Sequence, residues 1–280
     1  MRAVTRFAAS FLLVFGELAF GGMLAMAVPP FFRIERGFYK SSASIYLGAG
    51  FITMAGLALL AIRERPSTHP GAIVLWISAG LWMVFCIACA IYLSTLWSEK
   101  AELRARSFTA TLAAGLVAVA CNAIVLEPQS FGVAASFAYA LTAVTSSVVL
   151  GFVSGGMLFG HWYLIDPNLP VDYLRDLVRL TAIAVGVDVI ALLSAVAIMA
   201  ISGGPPALAV ASLFDSHAVL LCARIIFGPA ATAALIWMCW RTLKIPQTMA
   251  ATGLLYIAVL SVLVGEMLGR FIMFRTGLPL

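Results

Sequence analysis

Residues 73–97 read IVLWISAGLWMVFCIACAIYLSTLW, a stretch of twenty-five positions without a single charged side chain. A hydrocarbon core about 30 Å thick is crossed by about 20 apolar residues in a helix, so this stretch predicts a membrane-spanning helix. Seven more apolar runs lie at residues 8–28, 44–62, 106–126, 136–163, 176–202, 213–240 and 248–274. Segments rich in proline and glycine, such as Gly203-Gly204-Pro205-Pro206, separate the runs and predict loops. The sequence therefore predicts eight transmembrane helices.

The composition excludes a soluble globular protein. Of the 280 residues 63% are hydrophobic and 10% are charged, whereas soluble domains carry roughly a quarter charged residues. A β-barrel would show short segments of alternating polarity, but these runs are long and uniformly apolar. The loops are short, so residues 1–280 are expected to form a single transmembrane domain. The predicted fold is an all-α, polytopic bundle of about eight helices in a lipid bilayer.

The basic residues predict the orientation of the bundle. The loops after helices 1, 3, 5 and 7 hold ten lysines and arginines, and the other face holds six. Because positively charged loops stay in the cytoplasm, both termini are expected outside a plasma membrane that the chain crosses many times. The net charge of +5 then reflects orientation and does not indicate a nucleic-acid partner. The ten are Arg33, Arg36, Lys40, Lys100, Arg104, Arg106, Arg175, Arg179, Arg241 and Lys244; the six are Arg2, Arg6, Arg63, Arg65, Arg270 and Arg275.

The first apolar run has a second interpretation. Arg2 and Arg6 precede it, and Ala25-Met26-Ala27 follows near its end, as in a cleaved signal peptide. Glu17 and the pair Gly21-Gly22 are poor features for the apolar part of a signal peptide, so a retained helix is favoured. Cleavage would leave seven helices.

Five ionisable residues lie inside apolar runs, where an isolated charge is costly: Glu17, Asp188, Arg224, Glu266 and Arg270. Such residues usually face the interior of a bundle and pair with one another. The predicted orientation puts all five between the middle of the membrane and its outer half, so they are expected to converge in one layer. One interpretation is an ion-pair network that only locks the helices together. The other is a polar site that takes up and releases protons, with Glu17 or Glu266 as the titrating group.

The histidines argue against a haem protein. A bis-histidine haem needs two histidines at one depth on facing helices. His69 lies in a loop, and the predicted topology puts His161 near the inner face and His217 near the outer face. We therefore predict no haem and keep His161 and His217 as secondary candidates for the functional site. His217 is expected to begin a helix capped by Asp215 or Ser216.

Two cysteines suggest a metal motif that the context does not support. Cys86-x-x-Cys89 lies within an apolar helix and has neither a second cysteine pair nor a nearby histidine. Small buried side chains are the better interpretation, and no metal site is predicted. Glycines such as Gly21-Gly22 and Gly155-Gly156-x-x-x-Gly160 are expected to let neighbouring helices approach closely.

The last run carries a motif that resembles a known family. Gly265-Glu266-x-x-Gly269-Arg270-x-x-x-Phe274 is similar to the Gly-Glu-x-x-Gly-Arg signature of the membrane-anchor subunits of dimethyl-sulfoxide and polysulfide reductases. Weaker similarities are Val14-Phe15-Gly16 with Gly21-Gly22, the glycine pattern 155–160, and Arg224-Ile225. The resemblance implies eight helices with both termini outside. It also implies a quinol pocket near the outer face, lined or supported by Glu17, Arg224, Glu266 and Arg270.

That family transfers electrons from quinol to an iron-sulfur subunit and on to a catalytic subunit. One branch has a quinol-site histidine at the end of helix 2, but residues 44–65 contain no histidine and His69 lies beyond them. The leading hypothesis is a membrane anchor and quinone-interacting subunit of a respiratory complex, for example in anaerobic respiration. The chain would itself be non-catalytic and have no covalently bound cofactor. Its iron-sulfur and catalytic partners are expected on the cytoplasmic or the periplasmic side, and the polar loop 166–176 is the first candidate for a contact with a soluble partner. The alternatives are a proton-coupled transporter or permease, and a structural membrane protein.

Overall fold

The computed structural model describes residues 3–63, 70–128, 131–245 and 247–280. Within these ranges the chain is helical and contains no strand. His69, Arg2 and Arg65 lie outside the described residues. The helices are α1 (Ala3–Ala25), α2 (Arg36–Arg63), α3 (Pro70–Thr95), α4 (Ala101–Val125), α5 (Val133–Trp162), α6 (Val171–Ile201), α7 (Gly204–Asp215), α8 (Ala218–Ile225), α9 (Ala231–Leu243) and α10 (Thr248–Thr276).

Among the described residues, eight segments are long and apolar enough to cross a membrane. Seven of them are α1 to α6 and α10, and the eighth runs from Ala218 to Leu243 through α8 and α9. The predicted all-α bundle with eight spans is therefore confirmed. The assignment of the termini to the outside stays a prediction.

The seventh run differs from its prediction in two ways. Gly203-Gly204-Pro205-Pro206 does not form a loop, because α7 begins at Gly204 with prolines in its first turn. Proline is accepted there since the first amide groups of a helix need no intrahelical partner. The predicted cap is also wrong: His217 itself precedes α8, no side chain caps that helix, and Ser216 ends α7.

The first helix lies at the centre of the bundle, where α1 packs against α2, α4, α5 and α10. Glycines permit the closest approach. A methyl group on Gly21 would overlap the backbone of Ser147, and one on Gly155 would lie 2.7 Å from the Cβ of Ala25. These contacts confirm the expected role of the glycines in packing.

The same contacts fix the relative directions of the helices. Gly21 faces Ser147 and Ala25 faces Gly155, so α1 and α5 run parallel. Tyr139, near the start of α5, donates a hydrogen bond to the carbonyl oxygen of Gly277, just after α10. The start of α1 and the end of α10 thus lie at one end of the bundle, which we call the terminal face.

Candidate functional site: a buried chain of charges

Four ionisable side chains from three helices form a continuous chain of ion pairs. Arg270 Nη2 lies 2.6 Å from Glu17 Oε1 and 3.7 Å from Glu266 Oε2. Glu266 Oε1 accepts a hydrogen bond of 2.8 Å from Arg224 Nη2. The four side chains are between 1% and 5% exposed. The order along this charge chain is therefore Glu17, Arg270, Glu266, Arg224, with acids and bases alternating.

Helix geometry explains why these residues meet. Glu266 and Arg270 are four residues apart on α10, so they project from one face of that helix. This face packs against α1, which supplies Glu17, and against α8, which supplies Arg224. Arg270 and Glu266 lie six and ten residues before the end of α10, or about 9 and 15 Å by the helical rise. The charge chain thus lies in the half of the bundle nearer the terminal face.

Asp188 belongs to the same site but forms no ion pair with any described residue. Its Oδ1 accepts hydrogen bonds from Thr145 Oγ1 at 2.7 Å and from Ser146 Oγ at 3.2 Å, both on α5. Asp188 also lines a small cavity together with Arg224 and Glu266. The volume is about 10 Å³, roughly the space that one water molecule requires.

The structure thus brings together all five ionisable residues that the sequence singled out. Glu17, Arg270, Glu266 and Arg224 are in direct contact, and Asp188 faces the last two across the cavity. The pairing expected for Asp188 is the one departure, because two hydroxyl groups take the place of an arginine.

Three glycines make room for Arg224. A methyl group on Gly269 would lie 2.7 Å from Arg224 Nε, and one on Gly228 would overlap Arg224 Nη1. A methyl group on Gly265 would overlap the Cα atom of Gly228. The two glycines of the α10 motif therefore allow the guanidinium of Arg224 to reach Glu266.

The helix that carries Arg224 is broken beside the site. Residues 226–230 form a π-helical turn in which Gly228 has φ −78° and ψ −105°, and Pro229 follows. Proline has no amide hydrogen, so it interrupts the helical hydrogen bonds. Ser261 Oγ of α10 donates a hydrogen bond of 2.6 Å to the carbonyl oxygen of Phe227. The sequence signal for this break is Gly228-Pro229 inside an apolar run, and the prediction of one uninterrupted helix over 213–240 missed it.

Several polar atoms of the site have no hydrogen-bond partner among the described residues. They include Glu17 Oε2, Arg224 Nε, Arg270 Nε and the hydroxyl of Thr232, which lines the small cavity. Buried polar atoms are nearly always hydrogen-bonded in proteins. Their unused capacity makes this site suited to a water, a proton or a polar group of a ligand.

A scan of known protein families finds no match to this chain, and a search of curated proteins finds no similar sequence.

An apolar groove lies along the turns of α1 and α10 that carry the charges. Its volume is about 460 Å³, and its lining residues include Phe7, Phe11, Phe15, Met267 and Phe271. The phenylalanines of α1 form a continuous row, with ring centroids 4.9 and 6.3 Å apart. None of the five ionisable residues lines the groove; the lining residues nearest to them on the helix surfaces are Val14, three residues before Glu17, and Met267, three residues before Arg270. The groove therefore offers an aromatic surface on the same turns of α1 and α10, separated from the buried charges by its own lining.

The two histidines do not take part in the charge chain. His161 Nδ1 lies 3.2 Å from the hydroxyl of Tyr256, in the first third of α10. His217 Nδ1 lies 3.2 Å from the carbonyl oxygen of Ser212. A role for His161 or His217 therefore stays a prediction without support from these contacts.

Cys86 and Cys89 are free and buried, as expected of small packing residues. Cys89 Sγ contacts Met23 Sδ at 3.8 Å and the carbonyl oxygen of Ala43 at 3.9 Å. Within the ranges that the structure describes, no three His, Cys, Asp or Glu side chains are grouped closely enough to hold a metal ion.

Proposed function

We propose that this chain is a quinone-interacting membrane subunit of a respiratory or redox complex, in which Glu17, Arg270, Glu266, Arg224 and Asp188 handle the protons. The observation that carries the proposal is the buried charge chain. Three carboxyl groups and two guanidinium groups, all buried, meet in the half of the bundle nearer the terminal face.

Charge balance supports a proton site. With every group ionised, the five side chains carry three negative and two positive charges, which leaves one uncompensated negative charge. A net charge is expensive inside a membrane. One bound proton makes the site neutral, and the small cavity beside Asp188, Arg224 and Glu266 has room for a water that relays it. Uptake and release of a single proton is therefore the chemistry for which this site is suited.

The groove between α1 and α10 supports a quinone as the molecule that exchanges those protons. A quinone has a flat ring and a long apolar tail, and both fit a row of phenylalanine side chains that face the lipid. Oxidation of a quinol to the quinone releases two protons and two electrons. The carboxylates would accept the two protons one at a time, releasing the first before taking up the second, and an iron-sulfur cluster held by a partner subunit would supply the acceptor for the electrons.

The first test combines copurification with turnover. The full chain, extracted in mild detergent, is expected to bring an iron-sulfur protein with it, and the complex is expected to oxidise a soluble quinol. Glu266→Gln removes one of the carboxylates and should lower that turnover at least about tenfold. Glu102→Gln changes an exposed carboxylate on α4 and should leave turnover unchanged. Normal turnover with Glu266→Gln in an intact complex would refute the proposal.

The broken helix favours a second candidate, a proton-coupled transporter. Transporters often bind their substrate where a membrane helix is interrupted near the middle of the bilayer, and the π-helical turn at 226–230 lies beside Arg224, Asp188 and Glu266. This candidate predicts solute uptake by the purified chain alone in liposomes, driven by a pH gradient. Uptake without a partner subunit would favour the transporter and contradict the quinone proposal.

A further inference from the structure

A second pocket lies at the end of the bundle opposite the terminal face. It is enclosed by the connection between α1 and α2, the end of α3 and the first turns of α4, and its volume is about 330 Å³. Among the described residues that line it, Arg104 alone carries a charge. The other walls are apolar or aromatic and include Met26, Pro30, Phe31, Tyr39, Tyr92 and Phe108.

Arg104 is buried without an acidic partner. The residue is 7% exposed, its Nη1 donates a hydrogen bond of 3.3 Å to the carbonyl oxygen of Ser98, and its guanidinium carbon lies 4.4 Å from the ring centroid of Phe31. The neighbouring acids are engaged elsewhere, since Glu99 pairs with Arg36 and Glu102 pairs with Arg106. No described carboxylate lies within ion-pairing distance of Arg104. A buried charge normally has a counter-ion, so the Arg104 guanidinium is available to an anionic ligand.

The start of α4 adds to the positive potential. Ala101 and Ala105, on the first two turns of this helix, line the same pocket. No side chain caps the helix at Lys100, the residue before it. The amino-terminal end of a helix carries a partial positive charge and binds anions. The amide of Ala101 already donates a hydrogen bond of 2.8 Å to the carbonyl oxygen of Glu99, so the helix start contributes only its partial charge, and the Arg104 guanidinium is the group that would contact an anion.

We propose that this pocket, here called the Arg104 pocket, binds the phosphate group of an anionic membrane phospholipid. Arginine is a good hydrogen-bond donor to phosphate. Ala101, Ala105 and Phe108 provide an apolar surface for the acyl chain along α4. The pocket opens where α1, α3 and α4 end or begin, at the depth of lipid headgroups, and basic pockets between membrane helices at this depth bind anionic lipids. Trp97, a residue type typical of the membrane–water interface, lies at this end of the bundle, with its ring centroid 4.4 Å from Lys40 Nζ.

Native mass spectrometry of the delipidated full chain tests the proposal. The protein is titrated with phosphatidylglycerol and, separately, with phosphatidylcholine. Wild type should retain phosphatidylglycerol preferentially, and Arg104→Gln should bind it about tenfold more weakly because a charge-assisted contact to phosphate is lost. Arg106→Gln is the matched control, because Arg106 lies two residues away, is exposed and pairs with Glu102. Its affinity should stay within about twofold of wild type.

A second variant tests the pocket independently, in case Arg104→Gln fails to fold. Ala105→Trp fills the pocket from an exposed position of α4 and leaves Arg104 in place. It should also abolish binding of phosphatidylglycerol. Undiminished lipid binding by Ala105→Trp, or by Arg104→Gln with the melting temperature of wild type, would overturn the proposal. Displacement of the lipid by millimolar inorganic phosphate would equally overturn it and assign the pocket to a soluble anion.

Discussion

Arg270 occupies the middle of the charge chain, with Glu17 on one side and Glu266 on the other. Its Nη1 also donates a hydrogen bond of 3.1 Å to the carbonyl oxygen of Leu280. The same guanidinium thus joins α1, α10 and residues 277–280, which fold back into the bundle after Gly277 adopts a positive φ of 75°. A buried ion pair stabilises little relative to apolar packing, but removal of one partner leaves a charge uncompensated.

Arg270→Gln is therefore expected to destabilise the fold by about 3–5 kcal/mol. Glu17→Gln combined with Arg270→Gln removes a charge of each sign and should recover part of that loss. Thermal unfolding in detergent measures both. Arg275→Gln is the control, because Arg275 is exposed and contacts only the ring of Phe271 among the interactions described for it. Equal stability of the Arg270 and Arg275 variants would show that the ion pairs do not hold the bundle together.

The same substitution at two glycines of α10 should change the stability of the protein in opposite directions. Gly265→Ala places a methyl group against the backbone of Gly228, which cannot move aside, and should cost about 1–3 kcal/mol. Gly253→Ala meets no atom within 4 Å and should stabilise α10 by up to about 1 kcal/mol. The two melting temperatures, measured side by side, should fall on opposite sides of wild type. A rise with Gly265→Ala would contradict the close contact between the turn 226–230 and α10.

The interrupted span α8–α9 depends on a neighbour for its hydrogen bonds. The turn at 226–230 interrupts the helical hydrogen bonds, and Ser261 of α10 donates its hydroxyl to the carbonyl oxygen of Phe227 within that turn. An unsatisfied carbonyl group is more costly in lipid than in water, because no solvent replaces the lost donor. The broken helix is thus stabilised by tertiary contact and not by its own sequence.

Ser261→Ala should cost about 1 kcal/mol or more, since Phe227 loses its donor. Ser194→Ala provides the comparison, because Ser194 donates to the carbonyl oxygen of Ala191 within its own helix, α6, where the backbone already satisfies that group. That variant should change stability by a few tenths of a kcal/mol at most. Similar losses in both variants would remove the argument that the break relies on Ser261.

The connection between α4 and α5 should respond to pH. Partial burial raises the pKa of Glu127 above its ordinary value of 4.5, despite hydrogen bonds from Ser136 and the amide of Phe131. A raised pKa means that the folded state holds the proton more tightly than the unfolded state, so stability declines as the pH rises through this range. Glu127→Gln cannot ionise. Wild type should therefore lose stability relative to Glu127→Gln as the pH rises, which thermal unfolding at several pH values measures. A loss of wild-type stability relative to Glu127→Gln on acidification would contradict the raised pKa of Glu127.

The described part of the chain has an even number of candidate spans, so the start of α1 and the end of α10 share one face. The basic loops predict that this terminal face is outside. Cysteines introduced at Lys100 and Ser202, in a cysteine-free background, probe opposite faces. An impermeant thiol reagent applied to intact cells should label Ser202→Cys and should label Lys100→Cys only after lysis. The reverse pattern would invert the orientation and place the charge chain nearer the cytoplasm.

Hydropathy alone was sufficient to predict much of this fold, because lipid requires every span to be long, helical and apolar. The eight runs could be read directly, and so could the conclusion that Glu17, Asp188, Arg224, Glu266 and Arg270 face inward. The break at Gly228-Pro229 and the short helix α7 were missed. Both depend on the local chemistry of proline, which an average over apolar residues conceals.

The sequence by itself determined that five charged residues had to meet inside a helical bundle, since each alone is too costly in lipid. It did not determine which acid pairs with which base, because that depends on how helices far apart in the chain rotate and pack. The tertiary structure places Arg270 between two glutamates and packs Gly228 against Gly265. It also positions the hydroxyl groups of Thr145 and Ser146 to donate hydrogen bonds to Asp188. Membrane insertion follows from local composition, whereas the site depends on contacts between distant helices.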